Sequence, residues 1–194
     1  MSIILSTKES ALILHDVNSE VCELIKRCVD VVDSELDKNP EIIVYGKICN
    51  QHRSIGFYSD TSKGYNYSST LRPSKKMHPC LRELLDYINT KFNSDYNGIL
   101  INKYADGNDY IGKHSDDERG LDAKIGVIAL SYGATRIFRI RNKITSKKVM
   151  DISTDTSKII QMAGNFQKEF THEIPMEKKV KEVRYSFTFR KHIE

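Results

Sequence analysis

Several things are scarce in this sequence. It holds four cysteines, Cys22, Cys28, Cys49 and Cys80, and none of them forms a CxxC pair. A zinc finger and a disulfide scaffold are therefore not expected, and the thiols read as the reduced cysteines of an intracellular protein. No apolar run approaches the 18 residues that a membrane-spanning helix needs; the longest, residues 125–130, suits a buried strand. The apolar patches at residues 3–5 and 11–14 are interrupted by Lys8 and Glu9, and no basic leader precedes them, so no secretory signal is expected. Internal repeats and low-complexity segments are absent. Neither sign of charge dominates: 30 Lys and Arg against 26 Asp and Glu leave +4, which is unlike a histone-type tail.

What remains is the composition of a globular chain, 39% hydrophobic and 29% charged over 194 residues, enough for one domain with its own core. Asn18 is a helix cap, and Val21, Leu24, Ile25, Cys28, Val29, Val32 and Leu36 follow at close to a 3.6-residue period, which predicts a helix over 19–37 ended by Asn39-Pro40. Residues 42–45 are strand formers, and a polar stretch carrying Phe57, Tyr58, Tyr65 and Tyr67 follows. Pro79 opens a second helix with Leu81, Leu84, Leu85, Ile88 and Phe92 as its stripe. From residue 98 the chain reads as short strands, at 99–104, 124–131, 135–141, 149–152, 159–162 and 183–190, separated by turns. Helices first and then an antiparallel jelly roll make a single α+β domain over 1–194, with the helices in its first part (about 1–97) and the β core in its second (about 98–194).

Three stretches carry chemistry. His114-Ser115-Asp116 would put an imidazole and a carboxylate on one side of a strand, and one more histidine, such as His172, would complete a two-His, one-carboxylate triad of the kind that suits Fe(II). A surface histidine beside an acid is the plain alternative. In residues 183–190, Val183, Tyr185, Phe187 and Phe189 alternate with Arg184, Ser186, Thr188 and Arg190. The polar face either meets water or lines a barrel that binds a dianion, because a guanidinium grips a carboxylate with two parallel bonds. Asn102 and Tyr104 likewise share one face of their strand.

Taken together, and in this order, these stretches resemble the AlkB family of Fe(II)- and 2-oxoglutarate-dependent dioxygenases. The matching segments are Asn102-Lys103-Tyr104, Ile111-Gly112-Lys113-His114 with Asp116 to Glu118, Leu130 to Phe138, His172 to Pro175, and Arg184 to Arg190. The resemblance implies a double-stranded β-helix core, N-terminal helices and a nucleotide-recognition lid. It implies His114, Asp116 and His172 as catalytic iron ligands, and Asn102, Tyr104, Arg184, Ser186, Thr188 and Arg190 as the 2-oxoglutarate set. Upstream, Tyr45-Gly46-Lys47, Arg53, Tyr58, Asp60, Tyr65 and Tyr67 are similar to the lid of the DNA-repair homologues of the homologue 2 type, with Tyr45 as a wedge in duplex DNA and the other tyrosines stacking on a flipped base. Asp117 and Glu118 would read the base edge. Ser186 stands where many members carry Asn, and His52 where a Pro is common.

The implied activity is oxidative demethylation of 1-methyladenine and 3-methylcytosine in DNA repair, with Fe(II), O2 and 2-oxoglutarate consumed and formaldehyde, succinate and CO2 released. RNA, a protein or a small molecule is the alternative substrate of the same fold, and a non-catalytic nucleic-acid-binding module is the rival outside it. Nucleic acid, DNA before RNA and duplex included, is the expected partner of a soluble intracellular monomer that engages no membrane. Arg136, Arg139, Arg141, Lys143, Lys147 and Lys148, with Lys178, Lys179 and Lys181, are the expected phosphate contacts.

Overall fold

A computed structural model describes residues 1–44, 46–67, 70–118, 120–122 and 125–193, apart from the side chains of Val44, Asn66, Tyr67 and Thr70. The chain opens with two strands, β1 (Ser2–Ser6) and β2 (Ser10–Asp16), followed by helix α1 (Ser19–Val32), which a short 3-10 turn extends over Asp33–Glu35. Two hairpins, β3 (Glu41–Val44) with β4 (Lys47–Asn50) and β6 (Gly64–Tyr67) with β7 (Thr70–Pro73), flank β5 (Ser54–Tyr58). Helix α2 (Pro79–Phe92) leads to β8 (Gly98–Tyr104), β9 (Ile111–His114), β10 (Val127–Gly133), β11 (Arg136–Asn142), β12 (Lys148–Thr154) and β13 (Lys158–Gly164). A single turn of helix, α3 (Phe166–Glu169), precedes β14 (Phe170–Ile174) and β15 (Arg184–Arg190).

The strands form a jelly roll of two facing antiparallel sheets. One has the order β1-β2-β13-β10-β15-β8-β5, the other β12-β11-β14-β9. The β core is thus not confined to residues 98–194, because β1, β2 and β5 all join the larger sheet. The patches at residues 3–5 and 11–14 are strands because β2 pairs with β13 along its whole length, from Ser10↔Gly164 to Asp16↔Lys158, and buries Leu12 between the sheets.

Helix α1 begins where expected, with Asn18 Oδ1 accepting the Val21 N–H at 3.1 Å. Its apolar stripe packs with that of α2 on the outer face of the larger sheet, against Ile101, Leu130, Tyr185, Phe187 and Phe189. Strand β15 runs through the middle of this arrangement. Its odd residues face the helices, so Arg184, Ser186, Thr188 and Arg190 face the space between the sheets. Every residue of the strand is buried, which excludes a half-exposed ribbon. The lumen therefore receives a row of polar side chains that the fold must satisfy or use.

Candidate metal centre and cofactor tray

Strands β9 and β14 are antiparallel neighbours, and their register sets His114 directly opposite His172. This cross-strand pairing brings two distant histidines together, with ring centroids 4.3 Å apart. His172 thus lies within β14. Strand β9 ends at His114, so Asp116 reaches the pair from the bend that follows and not from an i, i+2 position on a strand. Its carboxylate lies 3.8 Å from His114 Nε2 and 3.7 Å from His172 Nε2. One ligand atom from each of the three residues falls within 4.8 Å of the others. Phe138 of β11 stacks on the His172 ring at 5.0 Å.

The residues present fit a divalent iron. His114 Nδ1 lies 2.9 Å from the Gly112 carbonyl, which can only accept, so the proton sits on Nδ1 and the Nε2 lone pair faces the cluster. Burial, reinforced by His114, pushes the His172 imidazole down to about 3. Burial lowers His114 too. Both rings are therefore neutral at neutral pH, the state that binds metal. Burial works against the Asp116 anion, but the Arg190 guanidinium against it outweighs that cost and keeps the carboxylate ionised. Arg190 bonds Asp116 through Nη2 and Glu118 through Nη1.

A second cluster lies at the other end of the same pocket. Arg184 donates from Nε to Thr154 Oγ1 at 3.1 Å and from Nη2 to Ser131 Oγ at 2.8 Å, and its charge sits 5.1 Å from the Tyr104 ring centroid. Its Nη1 is buried with no hydrogen-bond partner. Burial, together with nearby Arg136, pushes this guanidinium below its ordinary range, so an anion is the ligand that relieves the cost. Register aligns the rest of the tray: β8 and β15 pair Tyr104 with Arg184 and Asn102 with Ser186, while β10 sets Ser131 opposite Ser186. Asn102, Tyr104, Arg184, Ser186, Thr188 and Arg190 line one pocket with the three candidate ligands. A ferrous ion and a keto-diacid cancel in charge, so this pocket takes up the pair with no net change.

Residues 11–190 match the 2OG-Fe(II) oxygenase superfamily. The chain belongs to that superfamily. Within it the chain is a member of the AlkB family, and its cofactor pair is Fe(II) with 2-oxoglutarate. It is 30% identical over 177 residues to the DNA oxidative demethylase ALKBH2 of Homo sapiens, across 84% of this chain and 68% of that protein. It is 31% identical over 184 residues to the alpha-ketoglutarate-dependent dioxygenase alkB homolog 3 of Homo sapiens, across 90% of this chain and 62% of that protein. The chain thus spans about two thirds of the length of these relatives. A solved structure of OsALKBH1 superposes with a TM-score of 0.62 at 14% identity, over 93% of this chain and 97% of that one, a likeness of fold.

The residues that the AlkB likeness assigns to a base are placed unevenly. Arg53 and Tyr65 line the pocket, with Arg53 Nε donating to Asn102 Oδ1 at 2.8 Å and the Arg190 charge 5.1 Å from the Tyr65 ring centroid. Glu118 is half-buried beside Arg190, and its desolvation raises its carboxyl. Asp117 is on the rim, 2.5 Å from Lys143 Nζ. Gly46 and Lys47 are exposed on the β3–β4 hairpin, with Gly46 at φ 76°. Tyr45 and the Tyr67 side chain lie outside the described residues.

Two assignments are corrected. Tyr58 points to the helical side of the sheet, where it is fully buried and donates to Glu35 Oε2 at 3.1 Å. On β5 the residues that face the pocket side are Ile55 and Phe57, which pack with Tyr65 and Leu100. Asp60 accepts from Arg82 Nη2 at 2.5 Å and from the Met77 N–H at 3.2 Å, a tie to the start of α2.

The expected phosphate-binding run is corrected as well. Arg136 is buried, paired with Glu177 at 3.0 Å, and donates to the carbonyls of Asp106, Asp109 and Pro175. Arg139 pairs with Asp151 at 2.8 Å, Arg141 with Glu173 at 2.8 Å and Lys148 with Asp151 at 3.5 Å. The run has no acid along the chain, but strands β12 and β14 supply acids across it.

Sequence reasoning missed Ser131 and Thr154, which hold Arg184, and Phe138, which backs His172. Ser131 and Phe138 lie inside a motif that carried the resemblance. Thr154 gives no local signal, because β12 reaches the tray only through sheet packing.

Proposed function

We propose that this chain demethylates N-alkylated nucleic-acid bases oxidatively, with 1-methyladenine and 3-methylcytosine in DNA as substrates and formaldehyde, succinate and CO2 as products. The observation that carries this reading is the single buried pocket holding the His114–Asp116–His172 cluster at one end and the half-satisfied Arg184 at the other. The names of the AlkB relatives support the substrate class.

His114, Asp116 and His172 hold the iron. The bound iron and 2-oxoglutarate supply the oxidising chemistry that hydroxylates the alkyl carbon. Arg184 binds the far carboxylate of the keto-acid through its unsatisfied Nη1, and Ser131 and Thr154 fix the guanidinium so that little freedom is lost on binding. Asn102, Tyr104, Ser186 and Thr188 add polar contacts, and Arg190 holds the Asp116 carboxylate anionic. A base inside a duplex cannot reach so buried a site and must be flipped, at a cost of a few kcal/mol. Tyr65 and Arg53 form the wall it meets, with Glu118 and Asp117 beside the metal loop. Tyr45 fills the vacated stack, and Gly46 and Lys47 carry the hairpin along the backbone. The hydroxylated carbon then leaves as formaldehyde and restores the base.

The test is formaldehyde release from methylated oligonucleotides, run against methylated RNA and peptides. His114→Ala and Asp116→Ala are expected to abolish release while the far-UV spectrum stays native. Full activity in either variant refutes the metal assignment, and turnover of peptides alone refutes the substrate class. Tyr45→Ala is expected to lower duplex turnover more than single-strand turnover; equal losses refute the wedge.

A further inference from the structure

Of the three candidate ligands, Asp116 is the one that the sheet does not hold. The β9–β14 ladder places His114 and His172 and ends there. Asp116 follows in a bend, is buried, and has a backbone N–H with no ladder partner, and a buried N–H must find an acceptor. The acceptor is the side chain of Gln167 in α3: the Asp116 N–H lies 2.9 Å from Gln167 Oε1. The other end of that amide is also held, with Nε2 donating to Met162 Sδ at 3.4 Å. This fixes which atom is the oxygen, because the sulfur can only accept.

The contacts on either side run to the same segment. Ser115 Oγ donates to the Phe170 carbonyl at 2.9 Å, and Lys143 Nζ donates to the Gln167 carbonyl at 2.9 Å while pairing with Asp117. Residues 115–117 are thus clipped at three consecutive positions to residues 167–170, which lead directly into the strand that carries His172. Only the middle clip reaches the backbone of the ligand itself.

We propose that Gln167 is a positioning residue for the iron site, holding the Asp116 carboxylate in the orientation that faces both imidazoles. It touches neither substrate nor cofactor and acts through Asp116 alone. The inference rests on the triad being the metal site. Partners of metal ligands at this remove are worth about 10- to 100-fold in affinity.

The probe is Co(II), titrated anaerobically into the full chain and followed by its visible absorption and by calorimetry. Gln167→Met keeps the length of the side chain and removes the acceptor; Gln167→Asn keeps an amide that is one methylene too short. Both are expected to weaken Co(II) binding about 10- to 100-fold and to alter the visible band, and protection of the Asp116 amide from hydrogen exchange in the metal-free protein is expected to fall at least about tenfold. Gln167→Glu, which restores an oxygen at the same reach, is expected to recover most of the affinity. Unchanged affinity in Gln167→Asn overturns the inference, and so does a Gln167→Glu variant that binds as poorly as Gln167→Met, since the effect is then one of packing. If Gln167→Met does not fold, the Asn and Glu pair decides. A parent chain that binds no Co(II) overturns the metal site itself, whereas a parent that binds beside unaffected variants overturns only this role for Gln167.

Discussion

At the scale of single residues, the pocket is a set of groups whose charge is fixed by their surroundings. Arg184 has two donors tied to hydroxyls and one donor without a partner, so its geometry is set before any ligand arrives. Arg184→Lys keeps the charge but loses the planar fork, and its KM for 2-oxoglutarate is expected to rise roughly 10- to 100-fold with a smaller change in kcat, as loss of a charge-assisted bond implies. An unchanged KM places the keto-acid elsewhere. His172 and His192 are both held neutral by burial, at about 3 and about 4. Because these values lie below those in the unfolded chain, the unfolded state takes up protons first as pH falls. Stability is therefore present above about 6.5 and drains away as pH falls, through about 4 for His192 and about 3 for His172. Metal-free protein melted across that range checks the sign; a Tm that rises on acidification contradicts it. Residue identity was readable for the ligands because His-x-Asp is a chemical pattern. It was not readable for Tyr58, since an aromatic residue near a pocket motif does not announce which side of its strand it occupies.

At the scale of elements, strand β15 decides the architecture. Its alternation is visible in the sequence and carries through intact: aromatics under the helices, cations and hydroxyls in the lumen. Phe187 is fully buried there, and Phe187→Ala is expected to cost about 3–5 kcal/mol in chemical denaturation. A loss under about 1 kcal/mol contradicts the packing. Strands β9 and β14 escaped sequence reading for a physical reason. They are only four and five residues long, and each gives an inward position to a histidine ligand, so the apolar period is too short to read. The first two strands escaped because β2 is held by β13, a contact that spans most of the chain, and β1 is held only by β2. The helices were legible to their caps, although the first gives way to a 3-10 turn after Val32.

At the scale of the whole molecule, charge that looks like a nucleic-acid face along the chain is largely spent on internal pairs. Arg136 ties the loop after β8 to the loop after β14, and Arg136→Gln leaves Glu177 and three carbonyls short of a donor. The expected outcome is a loss of about 3–5 kcal/mol of stability, as for a broken buried pair, with no change in the salt dependence of DNA binding at temperatures where the variant is folded. A reduced salt slope in a stable variant contradicts this. Lys178 and Lys179 are exposed, and if they meet phosphates as proposed, each neutralised charge is expected to lower the slope by about 0.9.

The claim on which all three scales depend is that strands β9 and β14 and the bend after His114 build one iron site beside Arg184. Anaerobic titration of Fe(II) followed by 2-oxoglutarate tests it most directly, read by the weak visible charge-transfer band of the chelated pair. A single equivalent of each is expected to develop the band in the parent chain, with no band in His172→Ala and a demand for far more 2-oxoglutarate in Arg184→Lys. A parent chain that develops no band, or a His172→Ala variant that develops it unchanged, contradicts the account.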